Sequence, residues 1–304
     1  MAGIRLEWSQ FGDFDSFDVL RSSTTIDINN LPSPLVSGLT TMTYLDETVV
    51  MGATYVYRIV AKKGMNITIS DEVSGIANDG DLLWQNVTTL VFLNNNLMEE
   101  KSQLSLIWGS NNNQASFVSS PFGSSMLFTG AYYVYLLETK ALKPSENLSG
   151  KKFTIEFFAK LNSNSEGSLT VLSHGDINGD QLSWWVSLNK SSFSFTQSMN
   201  GRGGDTQSAY ADIARINTMS SYVHYAVVRE DSGLTRLYAG GVLISETILS
   251  HTFKTTDVGL CIGRLNYNDY PYYFIGELGP VRITVGETRY KSGSFSPPTT
   301  FKDH

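Results

Sequence analysis

The stretch GELGPVRITVGETRYKSGSFSPP occupies residues 276–298. Val281, Ile283 and Val285 alternate with Arg282, Thr284 and Gly286, which is the period of a half-buried β-strand. Gly286-Glu287 turns the chain. Pro297-Pro298 then stops further pairing, because proline has no N–H to give a ladder. A segment of this kind closes a sheet, and it carries no visible catalytic residue.

Working back from it, the same grammar recurs along the chain. Ile4 to Trp8, Phe17 to Arg21 and Gly52 to Val60 read as strands, with a last one from Ile67 to Val73. Leu31-Pro32-Ser33-Pro34 is a turn that cannot be helix. After a polar linker at Ser74–Asp81, apolar runs follow at Val87–Leu93, Phe153–Phe158, Leu182–Leu188, Phe193–Thr196, Val223–Val228, Thr235–Ala239 and Val258–Ile262. No segment sustains a 3.6-residue apolar period. The 304 residues include 26 glycines and 15 tyrosines but only 17% charged residues, a composition that fits turn-rich all-β domains. The net charge of -7, without any basic stripe, argues against nucleic-acid binding. A single cysteine, Cys261, excludes an internal disulfide framework and reads as a buried, inert thiol. The N-terminal MAGIRLEWSQ lacks the pattern of a secretory leader, and no apolar run is long enough to span a membrane, so a soluble product of a reducing cytoplasm is expected. On that expectation the sequons at Asn66, Asn86, Asn147 and Asn189 are chance matches.

Particular residues add family resemblances. Leu6-Glu7-Trp8, the loop Tyr44 to Thr48 and the strand Gly52 to Arg58 resemble the core of a fibronectin type III sandwich, though its usual first strand is nearly absent before Ile4. Phe122 to Phe128 with Tyr132-Tyr133, then Phe153 to Phe158, Tyr222 to Arg229 and Leu237 to Gly241, resemble a laminin-G-like, concanavalin A-like module. In this resemblance the opening stretch is the closing strand that pairs with the first. The expected fold is therefore all-β. A small fibronectin type III-like attachment module at 1–78 is followed by a laminin-G-like (concanavalin A-like) jelly-roll at 82–298 and a tail at 299–304. Joined in one chain without a leader or cysteine pairs, such modules resemble virion proteins of tailed bacteriophages. The resemblance implies a non-catalytic structural component assembled in the host bacterial cytoplasm, an accessory tail or baseplate adhesion protein contacting host-surface glycan. It further implies other virion proteins as partners through the N-terminal module and a homo-oligomer on the particle. A capsid or tail-tube decoration protein and a stand-alone lectin are the alternatives.

Candidate site residues follow from chemistry. Tyr267, Asn268, Asp269 and Tyr270 combine rings with amide and carboxylate groups in what reads as a loop, a set able to stack on and bond a glycan or protein partner. Met199 to Asp205, with three glycines, reads as a long flexible connection. Asp176, Asn178 and Asp180 alternate as calcium ligands do, but the closing bidentate glutamate is missing, so a polar hairpin tip competes with a calcium site completed by distant oxygens. His224 reads as a sheet residue. Glu156 and Glu277 each stand alone in their strands, without the paired carboxylates of a glycosidase, and no nucleophile motif or phosphate loop is present. No catalytic residue is expected.

Overall fold

A computed structural model describes residues 3–9, 12–50, 52–77, 81, 83–94, 98–100, 104–109, 116–136, 148–167, 169–175, 180–216, 218–256, 258–265, 272–291 and 293–301. Among these residues there is no α-helix, and none is therefore long and apolar enough to cross a membrane. The chain divides into two compact units, 1–82 and 83–303.

The first unit is a small sandwich. Strand β1 (Ile4–Glu7) pairs with β4 (Thr43–Asp46). Opposite lies a sheet ordered β3 (Val36–Leu39), β2 (Ser16–Ser22), β5 (Thr54–Lys63) and β6 (Asn66–Ile69), with β7 (Val73–Ile76) also on β5. Ile4, Leu6, Val19 and Tyr57 pack between the two. Two expectations need correction. Phe17–Leu20 is buried on both faces instead of alternating, because Ile26 and Leu31 fold back over Leu20 and Val60. The stretch Ile67–Val73 is two strands, not one. The hydroxyl of Ser70 accepts the Ile59 N–H at 2.9 Å, and this side-chain bond takes the edge out of register before β7 begins. Tyr44–Asp46 is likewise strand, not loop, and among the described strands it pairs with β1 alone.

The second unit is two packed antiparallel sheets. One contains β10 (Ser116–Ser120), β11 (Gly123–Thr129), β24 (Ile275–Val285), β13 (Phe153–Lys160), β18 (Val223–Arg229), β19 (Leu234–Ala239) and β20 (Val242–Ile248), in that order, with β8 (Val87–Val91) also on β24. The other runs β17 (Thr206–Asp212), β16 (Ser192–Ser198), β15 (Trp184–Leu188), β14 (Thr170–His174), β21 (Leu260–Ile262), β12 (Val134–Leu136) and β9 (Leu106–Trp108), joined by β22 (Arg264–Leu265) and β23 (Tyr272–Tyr273). Between them Phe153 meets Phe195 at 5.7 Å and Phe157 meets Phe193 at 6.1 Å, and each ring so buried contributes about 1.5–3 kcal/mol.

Strand β24 holds the alternating residues Val281, Ile283 and Val285. It pairs with β8, the first strand of this unit, as expected. It also pairs with β13 along one edge, and with β11 ahead of β8 along the other. Pro280 is tolerated in this central position because the ladder with β13 is bulged there, between Phe157 and Ala159. The expected half-burial is corrected. Arg282 and Thr284 are as buried as Val281 and Ile283. Residues 287–291 and 293–301 cross the outer face of the sheet as a strap. Tyr290 stacks on Phe295 at 3.6 Å, Phe295 meets Tyr238 at 5.2 Å, and Phe301 rests on Phe158 at 5.0 Å. Phe295 N–H donates to the Gly241 carbonyl at 2.8 Å. The two prolines end ladder pairing, and the chain beyond them still packs.

Glu156 lies under this strap and does not stand alone. Its carboxylate receives Arg282 at 2.9 Å, Arg289 at 3.2 Å, His224 Nε2 at 2.9 Å and the Tyr290 hydroxyl at 2.7 Å. Burial pushes this carboxyl up. Arg282, the His224 bond and Arg289 outweigh burial and hold it well below the usual carboxylate range. Glu277 is likewise engaged, by Lys160 at 3.0 Å and the Tyr222 hydroxyl at 2.7 Å.

Candidate functional site

Among the described residues, no such strap crosses the outer face of the nine-stranded sheet. Along β15, Trp184, Val186 and Leu188 point into the core, so Trp185 and Ser187 point out. The same alternation in β16 buries Phe193 and Phe195 and turns Ser192 and Ser194 outward, and in β17 it turns Tyr210 outward. Strand register lines these residues up. Thr170, Ser187, Ser194 and Tyr210 form one row across β14 to β17, with Trp185 in the next row.

A cavity of about 380 Å³ opens on this row, within the range of small-ligand pockets. Its floor is polar, and its aromatic surfaces are Trp185, Tyr210 and Tyr272. Tyr210 is 59% exposed, which leaves its ring face available. One wall is the β22–β23 hairpin, which contributes Leu265 and Tyr272. The chain passes from β21 into this hairpin at Gly263, where φ is +89° and a Cβ would sit 2.2 Å from the Phe128 ring. Gly203, in the connection between β16 and β17, lines the opposite side. That connection is anchored, which corrects its reading as a flexible loop. Gly201 accepts the Leu182 N–H at 3.2 Å, and Ser198 Oγ accepts the Gly201 N–H at 3.0 Å.

The sequence-derived candidates fall around this cavity unevenly. Tyr267, Asn268, Asp269 and Tyr270 lie between β22 and β23 in sequence, outside the described residues. Asp176 and Asn178 are also outside them. Asp180 is described. Its carboxylate takes Arg202 at 2.7 Å, and that hydrogen bond lowers its pKa. No group of three or more histidine, cysteine, aspartate or glutamate side chains able to hold a metal ion is present among the described residues. Cys261 is half-buried, not buried, on β21. Its neighbours Leu260 and Ile262 take the core side. His224 is the sheet residue that was expected.

Sequence reading missed Trp185, Ser187, Ser194 and Tyr210. The signal was present as alternation, with serines and one tryptophan interleaved between Trp184, Val186, Leu188, Phe193 and Phe195. The same pattern also describes any solvent-facing strand.

Residues 138–286 match a family model described as the concanavalin A-like lectin/glucanases superfamily. The fold of the second unit is a concanavalin A-like jelly-roll. Among solved structures the chain is similar to the binding domain of Paraclostridial Mosquitocidal Protein 1, with a TM-score of 0.51, 16% identity and coverage of 68% of this chain and 50% of that one. It is similar to the botulinum neurotoxin serotype D binding domain, with a TM-score of 0.50, 11% identity and the same two coverages. A further match is domain 4 of the extracellular arabinanase AbnA from Geobacillus stearothermophilus, in complex with arabinotriose, at a TM-score of 0.45 and 16% identity over 66% of this chain and 93% of that one. The chain spans about half the length of the two binding domains. No curated protein matches it in sequence.

Proposed function

We propose that the jelly-roll unit is a non-catalytic carbohydrate-binding module whose ligand enters the cavity on the nine-stranded sheet. The observation that carries this reading is the meeting of Trp185, Tyr210 and Tyr272 with the hydroxyls of Thr170, Ser187 and Ser194 around one opening. A sugar ring has an apolar C–H face and a rim of hydroxyls. Aromatic rings cover the first, and hydroxyl groups donate to and accept from the second. The lectin/glucanase description of the matching family points to the same ligand class. Hydrolysis would need two carboxylates across a glycosidic bond, roughly 5–10 Å apart. None of the described lining residues is a carboxylate, and Glu156 and Glu277 belong to strands of the other sheet.

Calorimetric titration with an oligosaccharide panel tests this. Trp185→Ala is expected to raise Kd at least tenfold, about 1.4 kcal/mol, with an unchanged circular dichroism spectrum. Equal affinity of the variant for every glycan that binds would remove the cavity from the reading. Release of reducing sugar would remove its non-catalytic part.

We further propose that the protein serves on a bacteriophage particle, as an accessory tail or baseplate adhesion component that contacts host-surface glycan through this cavity. What supports this is the sequence resemblance to fibronectin type III-like and laminin-G-like modules in one chain. A second support is the edge of β1, which has β4 as its one strand partner among the described residues and so offers an edge to a strand of another chain. In this reading unit 1 attaches to other virion proteins or sister copies and unit 2 reaches the glycan. Immunogold labelling of particles tests placement. Label on tails is expected, label on heads would favour a decoration protein, and absence of label would leave a stand-alone lectin.

A further inference from the structure

We infer that the cavity takes an uncharged sugar and turns away glycans that carry carboxylate or sulfate groups. This rests on the carbohydrate-binding reading above and adds the charge of the ligand to it. An anionic sugar desolvated in a pocket needs a cation or several aimed donors to replace its water, and arginine is the usual provider. None of the described lining residues is lysine, arginine or histidine.

Three lining residues do have a cation as sequence neighbour, and each of those cations is committed elsewhere. Arg264 precedes Leu265. In the β22–β23 hairpin Leu265 pairs with Tyr272 and Arg264 with Tyr273, so the cation lies on the hairpin face opposite the cavity. There its guanidinium sits 4.5 Å from the centre of the Tyr133 ring and 5.6 Å from that of Tyr273. The Tyr133 ring in turn lies so close over Gly109 that a Cβ there would sit 1.9 Å from it, which leaves the stack no slack. Arg202 precedes Gly203 and is paired with Asp180 at 2.7 Å. Lys190 follows Asn189 and is paired with Glu166 at 3.1 Å and with the Ser163 carbonyl.

An exposed charge of the opposite sign does lie on this face. Asp212 is paired across the ladder with the lining residue Ser192, alternates with Tyr210 on β17, and is exposed. Its carboxylate accepts the Ala214 N–H at 2.9 Å. An approaching carboxylate therefore meets repulsion without a compensating cation, whereas the hydroxyls of a neutral sugar find hydroxyl partners and aromatic surface.

The test uses the full chain and two sets of oligosaccharides of matched length. Glucan, mannan and xylan oligomers form the neutral set, and oligogalacturonate and sialyllactose the acidic one. The best neutral ligand is expected to bind at least tenfold more tightly than any acidic one, and Ser187→Lys is expected to narrow or invert that ratio by placing a cation on the floor. An acidic oligosaccharide that binds as tightly as the best neutral one, and loses that affinity in Trp185→Ala, would overturn the inference and leave the carbohydrate reading standing. Failure of both sets to bind would overturn the carbohydrate reading, and this inference with it.

Discussion

Glu156→Gln is expected to destabilise the jelly-roll unit by about 3–5 kcal/mol, the cost of breaking a buried charge cluster by removing one partner. Glutamine keeps the volume and one carbonyl oxygen, so the loss is electrostatic and not a cavity. It takes away the negative charge that Arg282 meets at 2.9 Å and Arg289 at 3.2 Å beneath the strap. Chemical denaturation followed by circular dichroism measures the loss, and a change under about 1 kcal/mol would show the cluster to be dispensable. The same group gives a pH dependence. The Glu156 carboxyl is held well below its unfolded value of about 4.3, so its stabilising contribution is complete above that pH and declines as pH falls further. The groups that face it are Arg282, Arg289, His224 and Tyr290. In Glu156→Gln the part of the acid slope below about pH 4.3 that belongs to this carboxyl should vanish.

Asp46→Ala is expected to unfold the first unit and leave the second intact. Asp46 is fully buried at the end of β4, where it takes Arg21 at 2.8 Å, the Tyr57 hydroxyl at 2.8 Å, and the Thr48 hydroxyl at 2.7 Å. Burial raises this carboxyl, but the Thr48 bonds, with Tyr57 and Arg21, lower it overall. Removing it orphans the Tyr57 hydroxyl in the core and costs about 3–5 kcal/mol. A unit of some eighty residues has little more than that to lose, since small domains sit near the low end of about 5–15 kcal/mol. Differential scanning calorimetry should show the transition of the smaller unit displaced below room temperature or absent, with the larger transition within a few degrees of its original position. Loss of both transitions together would show that the units do not unfold separately.

The strands were legible because their chemistry is local. Val281, Ile283 and Val285 announce β24, and the apolar residues of Phe153–Phe158 announce β13, since a strand's period is written in consecutive residues. What covers each outer face was not legible. Arg282 looks like a solvent-facing residue until Phe301, nineteen positions on, is known to lie 4.3 Å from its guanidinium. Glu156 looks isolated because Arg282 and Arg289 reach it across more than 120 residues of sequence. The cavity was hidden for a similar reason. Ser187 and Ser194 are ordinary surface serines until register sets them beside Trp185 and Tyr210, and register is a property of paired strands, not of one segment.

The central position of β24 also orders events in time. Strands β8, β11 and β13 are all made before residue 161, yet the strand that joins them is not complete until residue 285. Until then β11 and β8 lack their common partner and β13 keeps one edge open, so a growing chain carries unsatisfied ladder groups through more than a hundred residues of synthesis. Folding of this unit is therefore expected to be slow and late, dominated by contacts distant in sequence, with the open edges of its nascent form exposed to aggregation in the meantime.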